Sequence, residues 1–189
     1  MNKGRFKSQA LLNEQALLSC MVYVDLNPIR ATLADNLDES DFTSVQQRIT
    51  AYSNRMNKGE GRIKNKSKSV KLAGFSNGSN IKKGIPYSLK DYFELADWTG
   101  RRVSSKVQVL SDKEDQKQKG IKIKGVISDK EPRIISKLGI DTEIWLDTVK
   151  EYSQSYYSFV GSEKQLKKVC ESTGKKWLAG IKSSRVLYC

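Results

Sequence analysis

The sequence predicts a mainly α fold. Three observations carry this. Apolar residues recur at helical spacing in several stretches, helix-capping signatures stand at the starts of those stretches, and strand candidates are few and short. The 189 residues suffice for one domain, or one small domain with an appendage. With 38% hydrophobic residues, the chain can build a modest core with flexible stretches between packed parts.

From the N-terminus, residues 5 to 8 read as a short strand. Asn13 then caps a helix with Glu14 in its positive first turn, and Leu12 and Leu17 flank the cap as a hydrophobic staple. Leu17, Cys20, Met21 and Val24 give this helix one apolar face. Asn27 precedes Pro28 and is expected to cap a second helix, residues 28 to 34, because proline suits the first helical position. A third helix is expected from Asp41 to about Arg55, with Val45 and Ile49 on one side. Residues 53 to 72 then carry seven Lys or Arg against one Glu, a net of +6, with glycine, serine and asparagine interleaved. A second turn-rich stretch covers Gly74 to Gly84. Ser88 and Asp91 form a capping-box-like start for a helix through Asp97 or Trp98. Residues 101 to 130 are basic and weakly patterned, and the alternation of Val103, Val107 and Val109 suggests a strand.

The last third is better defined. Pro132 starts a short helix ending near Gly139. Asp141 or Thr142 caps a longer one, whose stripe is Ile144, Trp145, Val149, Tyr152, Tyr156 and Phe159. Gly161 breaks it. Ser162 and Gln165 make a capping box for a helix with Leu166, Val169 and Cys170 inward, and Gly174 terminates it. A basic tail runs from Lys175 to Arg185. The organisation expected is therefore a first segment, 1–55, a basic flexible linker, 56–84, a helical segment, 85–102, a second basic linker, 103–130, and a helical C-terminal region, 131–189.

Thirty-four Lys and Arg against 21 Asp and Glu give a net charge of +13, which favours polyanionic partners, nucleic acid or an acidic membrane surface. No apolar run is long enough to span a bilayer and the N-terminus lacks a secretory pattern, so no membrane partner and a cytoplasmic location are expected. Cys20, Cys170 and Cys189 are far apart and odd in number, and read as small apolar residues in a reducing compartment.

Two blocks bear on chemistry. Gly4-Arg5-Phe6-Lys7-Ser8-Gln9-Ala10-Leu11-Leu12, followed by Tyr23-Val24-Asp25-Leu26-Asn27-Pro28-Ile29-Arg30-Ala31, resembles the REP-associated tyrosine transposases of the HUH single-strand DNA transposase superfamily. The stretches from Ile85 to Arg101 and from Leu138 to Tyr188 resemble C-terminal extensions found in part of that family. The resemblance implies that residues 1–55 are the C-terminal part of an α+β transposase domain, with at most one or two strands of its sheet. It places Tyr23 at the nucleophile that joins the 5′ phosphate of DNA. A phenol with a pKa of about 10 attacks weakly unless a metal or base lowers the barrier. In the family two histidines of a His-hydrophobic-His motif hold magnesium or manganese as the Lewis acid, and a polar residue, here Asn27, assists.

This sequence has no histidine. The resemblance therefore implies a truncated or split protein that binds DNA but does not cleave it alone, binds no metal by itself, and depends for catalysis on a histidine-bearing N-terminal half. Arg5 and Lys7 on the expected strand would line the DNA groove, or serve as a charged edge that discourages aggregation. Arg30 would contact phosphate or satisfy a neighbouring carboxylate such as Asp25. Trp98, Trp145 and Trp177 read as core rather than as base-stacking platforms; Trp177 is the best exception, because Lys175 and Lys176 flank it and aromatic-plus-basic surfaces suit single strands. Two further readings stand beside this one: a non-catalytic nucleic-acid-binding remnant, and a poorly folded gene remnant. In the latter, uncovered faces such as Leu17, Met21 and Val24 promote association into homo-oligomers.

Overall fold

The computed structural model describes residues 8–57, 72–76, 84–108 and 130–187. In chain order its elements are β1 (Ala10–Leu11), α1 (Glu14–Asp25), α2 (Asn27–Arg30), α3 (Ser44–Asn57), α4 (Leu89–Gln108), α5 (Arg133–Lys137), α6 (Thr142–Ser155), β2 (Phe159–Val160), α7 (Glu163–Thr173) and α8 (Ile181–Leu187). The described fold is mainly α, as the periodicity predicts. The chain divides into two compact units, Met1–Tyr23 with Ile135–Cys189, and Val24–Ile134.

The first unit joins both ends of the chain. β1 and β2 pair in parallel, Ala10 opposite Phe159 and Leu11 opposite Val160. The Ala10 and Leu12 amides donate to the carbonyls of Ser158 and Val160, each at 2.8 Å. Two-residue strands hold little by themselves, and glutamines extend the pairing at both ends. Gln9 Nε2 donates to the Tyr156 carbonyl at 3.2 Å, and Gln165 Nε2 to the Leu12 carbonyl at 2.8 Å. Leu166, Cys170 and Leu178 form a core cluster, against which Leu12, Phe159, Val169 and Ile181 pack.

Local signals fix the helices of this unit. The Asp141 carboxylate accepts from the amides of Glu143 and Ile144 and caps α6, whose Trp145, Leu146, Val149 and Tyr152 are buried. The expected stripe over-runs the helix. α6 ends at Ser155 with Tyr156 extended, and Phe159 belongs to β2, because the chain leaves the helix to pair with β1. Ser162 and Gln165 form the reciprocal capping box of α7, and Gly174 closes that helix in the left-handed conformation at φ 66°. Gly180, at φ +97°, brings the backbone against Tyr156, where an added Cβ would lie 2.7 Å from Cδ1.

α1 is capped as its sequence predicts, with Asn13 Oδ1 accepting the Ala16 amide at 2.7 Å. Its buried face is not the one expected. Ala16, Leu18, Ser19, Val22 and Asp25 are buried, whereas Leu17, Cys20 and Met21 are half-buried and Val24 is 50% exposed. The helix is apolar nearly all round, so periodicity alone does not choose its face.

In the second unit, α2 is a single turn, shorter than the expected residues 28 to 34. Leu26 occupies its N-cap without a side-chain bond, so Asn27 is the first helical residue and not the cap. α3 begins at Ser44 and not at Asp41, because Phe42 adopts φ 64° and is fully exposed. Thr43 Oγ1 accepts the Gln46 amide at 3.3 Å at this start. Val45 and Ile49 are buried as expected.

α4 does not stop at Asp97 or Trp98 but continues to Gln108, so Val103 and Val107 are helical and not in a strand. The run Thr99-Gly100-Arg101-Arg102 stays helical because Arg101 pairs with the buried Asp97 one turn back at 3.0 Å, and the Arg102 guanidinium lies 4.9 Å from the Trp98 ring centroid. Trp98 and Trp145 are both buried. Residues 58–71 and 77–83 of the expected linker 56–84, residues 109–129 of the expected linker 103–130, and residues 5 to 7 of the expected first strand lie outside the described residues, whereas residues 103 to 108 of the second linker are helical. Among the described residues, no helix is long and apolar enough to cross a membrane.

Candidate nucleic-acid interface

The surface built by α7, the loop after it and α8 gathers the tail residues singled out in the sequence. Residues 163 to 187 contain seven Lys or Arg (164, 167, 168, 175, 176, 182, 185) and two Glu (163, 171), a net of +5. A shallow concavity there is lined by Lys167, Cys170, Lys175, Lys176, Trp177 and Arg185, with Glu171 as its one carboxylate. Trp177 is 66% exposed.

Local folding explains why this indole faces solvent. Gly174 turns the chain out of α7, and the amides of Gly174 and Lys175 both return to the Cys170 carbonyl. Three residues later, Leu178 is buried in the cluster with Leu166 and Cys170. Trp177 thus lies on a short segment fixed at both ends. Lys175 and Lys176 engage in no ion pair among the described residues.

Arg185 and Lys167 are organised differently. Glu163 Oε1 lies 3.0 Å from Arg185 Nη2 and 2.7 Å from Lys167 Nζ. The Arg185 guanidinium, and after it the Lys167 ammonium, hold the Glu163 carboxyl at about 2, below its ordinary 4.5. The α7 pair was legible as an i, i+4 spacing. The bond to Arg185 is tertiary, and the sequence carried no signal for it.

The residues of the transposase-like block are placed as follows. Tyr23 is half-buried on α1, and its ring stacks on Tyr152 with centroids 4.8 Å apart and planes inclined by 25°. Tyr152 in turn packs on Tyr156 at 5.3 Å. Asn27 is exposed at the start of α2, and Arg30 is half-buried in its last turn. Arg5 and Lys7 lie outside the described residues. Among the described residues, Lys175, Lys176 and Trp177 of the expected site line one concavity.

Asn27 offers one exposed amide oxygen, and among the described residues no group of three His, Cys, Asp or Glu could hold a metal ion.

Asp25 has a role that sequence reading missed. It is 1% exposed. Its carboxylate accepts from Ser44 Oγ at 3.0 and 3.1 Å, from the Val45 amide at 3.3 Å and from the Tyr92 hydroxyl. Burial pushes its pKa up, against these bonds and the nearby Arg48 charge. The suggestion that Arg30 satisfies Asp25 is therefore corrected, since α3 and α4 supply its partners. Arg48 Nη1 donates to the Ala73 carbonyl at 2.9 Å and its guanidinium lies 4.8 Å from the Phe75 ring centroid. Phase-by-phase spacing along one helix could not reveal a network drawn from three segments.

No protein-family model matches the chain, and neither a curated protein nor a solved structure is similar to it at the level searched.

Proposed function

We propose that the chain is a transposase-family protein that binds DNA, in the form of structured single strands, and does not cleave it alone. The observation that carries the binding half is the exposed Trp177 seated among Lys167, Lys175, Lys176 and Arg185. Cations alone suit any polyanion. Cations around an outward indole suit one that also presents unstacked aromatic faces, which is single-stranded nucleic acid. The overall charge of +13 adds long-range attraction.

The transposase assignment rests on the block from Tyr23 to Ala31. Cleavage is set aside because the 189 residues include no histidine. A tyrosine hydroxyl without a Lewis acid on the phosphate lacks several kcal/mol of transition-state stabilisation.

The test is fluorescence anisotropy with a labelled DNA hairpin across a salt series. Binding is expected to weaken with salt, with a log–log slope of about −0.7 for each phosphate contacted in a single strand. Replacing Lys175 and Lys176 together by Glu is expected to weaken it further and flatten the slope. Absence of binding at low salt would refute the reading. A Tyr23-dependent covalent adduct on the same hairpin would overturn the non-cleaving half.

A further inference from the structure

We propose that the concavity around Trp177 is a subsite for one unpaired nucleobase and its neighbouring phosphate, the base stacking on the indole and the phosphate facing the Lys175, Lys176 and Arg185 cations. This rests on the reading of the chain as a DNA-binding protein, and specifies where and how the strand is held.

The indole is not outward through lack of a core to enter. Its neighbour Leu178 is buried with Leu166 and Cys170, while Trp98 and Trp145 are buried elsewhere. The chain from Gly174 to Leu178 is fixed by the left-handed cap at one end and the buried leucine at the other. A stacking platform held this way loses little freedom when a ligand arrives, which favours binding.

The lining selects the ligand class. Lys167, Lys175, Lys176 and Arg185 stand against Glu171 in the lining and Glu163 beside it, an excess of two cations, so the concavity attracts anions. Glu163 fixes Arg185 and Lys167 by ion pairs, whereas Lys175 and Lys176 keep their charge for a ligand. An anion that also offers a flat aromatic ring is a nucleotide unit. In a duplex the faces of each base are covered by its neighbours. The subsite therefore takes a base from a loop, a bulge or a single-stranded end.

Because the other two tryptophans are buried, emission accessible to an added ligand belongs to Trp177. The full chain is titrated with a DNA hairpin bearing a short loop, and with the same hairpin whose loop positions are abasic, so that every phosphate is kept. Intact loops are expected to quench the emission and to bind about tenfold more tightly than abasic ones, within the range reported for one base–aromatic stack. Trp177→Leu, at an exposed position, is expected to keep the circular dichroism spectrum, abolish the quenching and bind both hairpins equally. Equal affinity of the wild-type chain for both hairpins, with unquenched emission, would overturn the subsite and leave DNA binding standing. Failure to bind either hairpin at low salt would overturn the subsite together with the reading beneath it.

Discussion

Replacing Asp25 by alanine withdraws the acceptor from three donors at once: Ser44 Oγ, the Tyr92 hydroxyl and the Val45 amide. Val45 is fully buried, and a buried amide that loses its acceptor costs about 1–3 kcal/mol. The hydroxyl bonds add to this, and relief of the buried charge offsets part of it. A net loss of about 3 kcal/mol is expected, which lowers Tm by about 6–12 °C in a chain of this size. Asparagine is the sharper probe, since it keeps one acceptor and stands in for the protonated acid. The folded-state pKa of Asp25 is raised above the ordinary 3.8. Its contribution is therefore fully present below that value and is lost as pH rises through the raised pKa. Asp25→Asn does not titrate there. The stability advantage of the wild-type chain over Asp25→Asn should therefore narrow as pH rises from the ordinary 3.8 through the raised value. Urea unfolding followed by circular dichroism across that range measures it. Parallel profiles, or an advantage that widens with pH, would refute the account of a buried carboxyl stabilised in its neutral form.

Four other outcomes are expected. Glu163→Gln removes the carboxylate that holds Arg185 and Lys167. Both cations become available to phosphate, so hairpin affinity should rise and its salt dependence steepen, while a decrease would place Glu163 as an essential support of the site. In the wild-type chain, carboxyl NMR should find Glu163 titrating at about 2, and Arg185→Ala should move that midpoint toward 4.5; the pair's contribution is present above 4.5 and is lost as pH falls through about 2. Gln165→Glu keeps the oxygen that accepts the Ser162 amide but sets a second oxygen against the Leu12 carbonyl, so it should destabilise by about 1–3 kcal/mol in urea unfolding although the cap survives. Gly180→Ala places a methyl against Tyr156 at a backbone angle that alanine resists, and should cost about 2–4 kcal/mol; a neutral result by the same measurement would mean that the loop relaxes freely.

What the sequence made legible was local. Asp141, Ser162, Gln165 and Gly174 each satisfy backbone groups within a turn of themselves, so residue type and spacing suffice to place them. The face of α1 was illegible because Leu17, Leu18, Met21, Val22 and Val24 surround the axis, while the polar Ser19 and Asp25 lie on the buried side. Ser19 stays satisfied there by donating to the Ala16 carbonyl at 3.1 Å. The length of α4 was hidden by Gly100 and two arginines, which read as a helix end until Arg101 is seen on Asp97 and Arg102 over Trp98. At the candidate interface the aromatic and basic cluster was readable, because its residues are adjacent in sequence. The ion pair joining Glu163 to Arg185 was not, because 22 residues separate them and no periodicity links their helices.

The parallel pairing of β1 with β2 also sets an order of events during synthesis. Leu11 and Val160 are partners 149 positions apart in sequence. At a translation rate of about 5–20 residues per second, Leu11 is made roughly 7–30 s before the strand that will receive it. Residues 24 to 134, which form the other unit, are all made in that interval. The β1 edge must therefore wait, unpaired, until those residues have been made. A nascent chain halted before Phe159 would carry Leu12 without β2 or the Leu166, Cys170 and Leu178 cluster on which it packs. That leaves the segment around β1 prone to chaperone capture or proteolysis until β2 and α7 have been added.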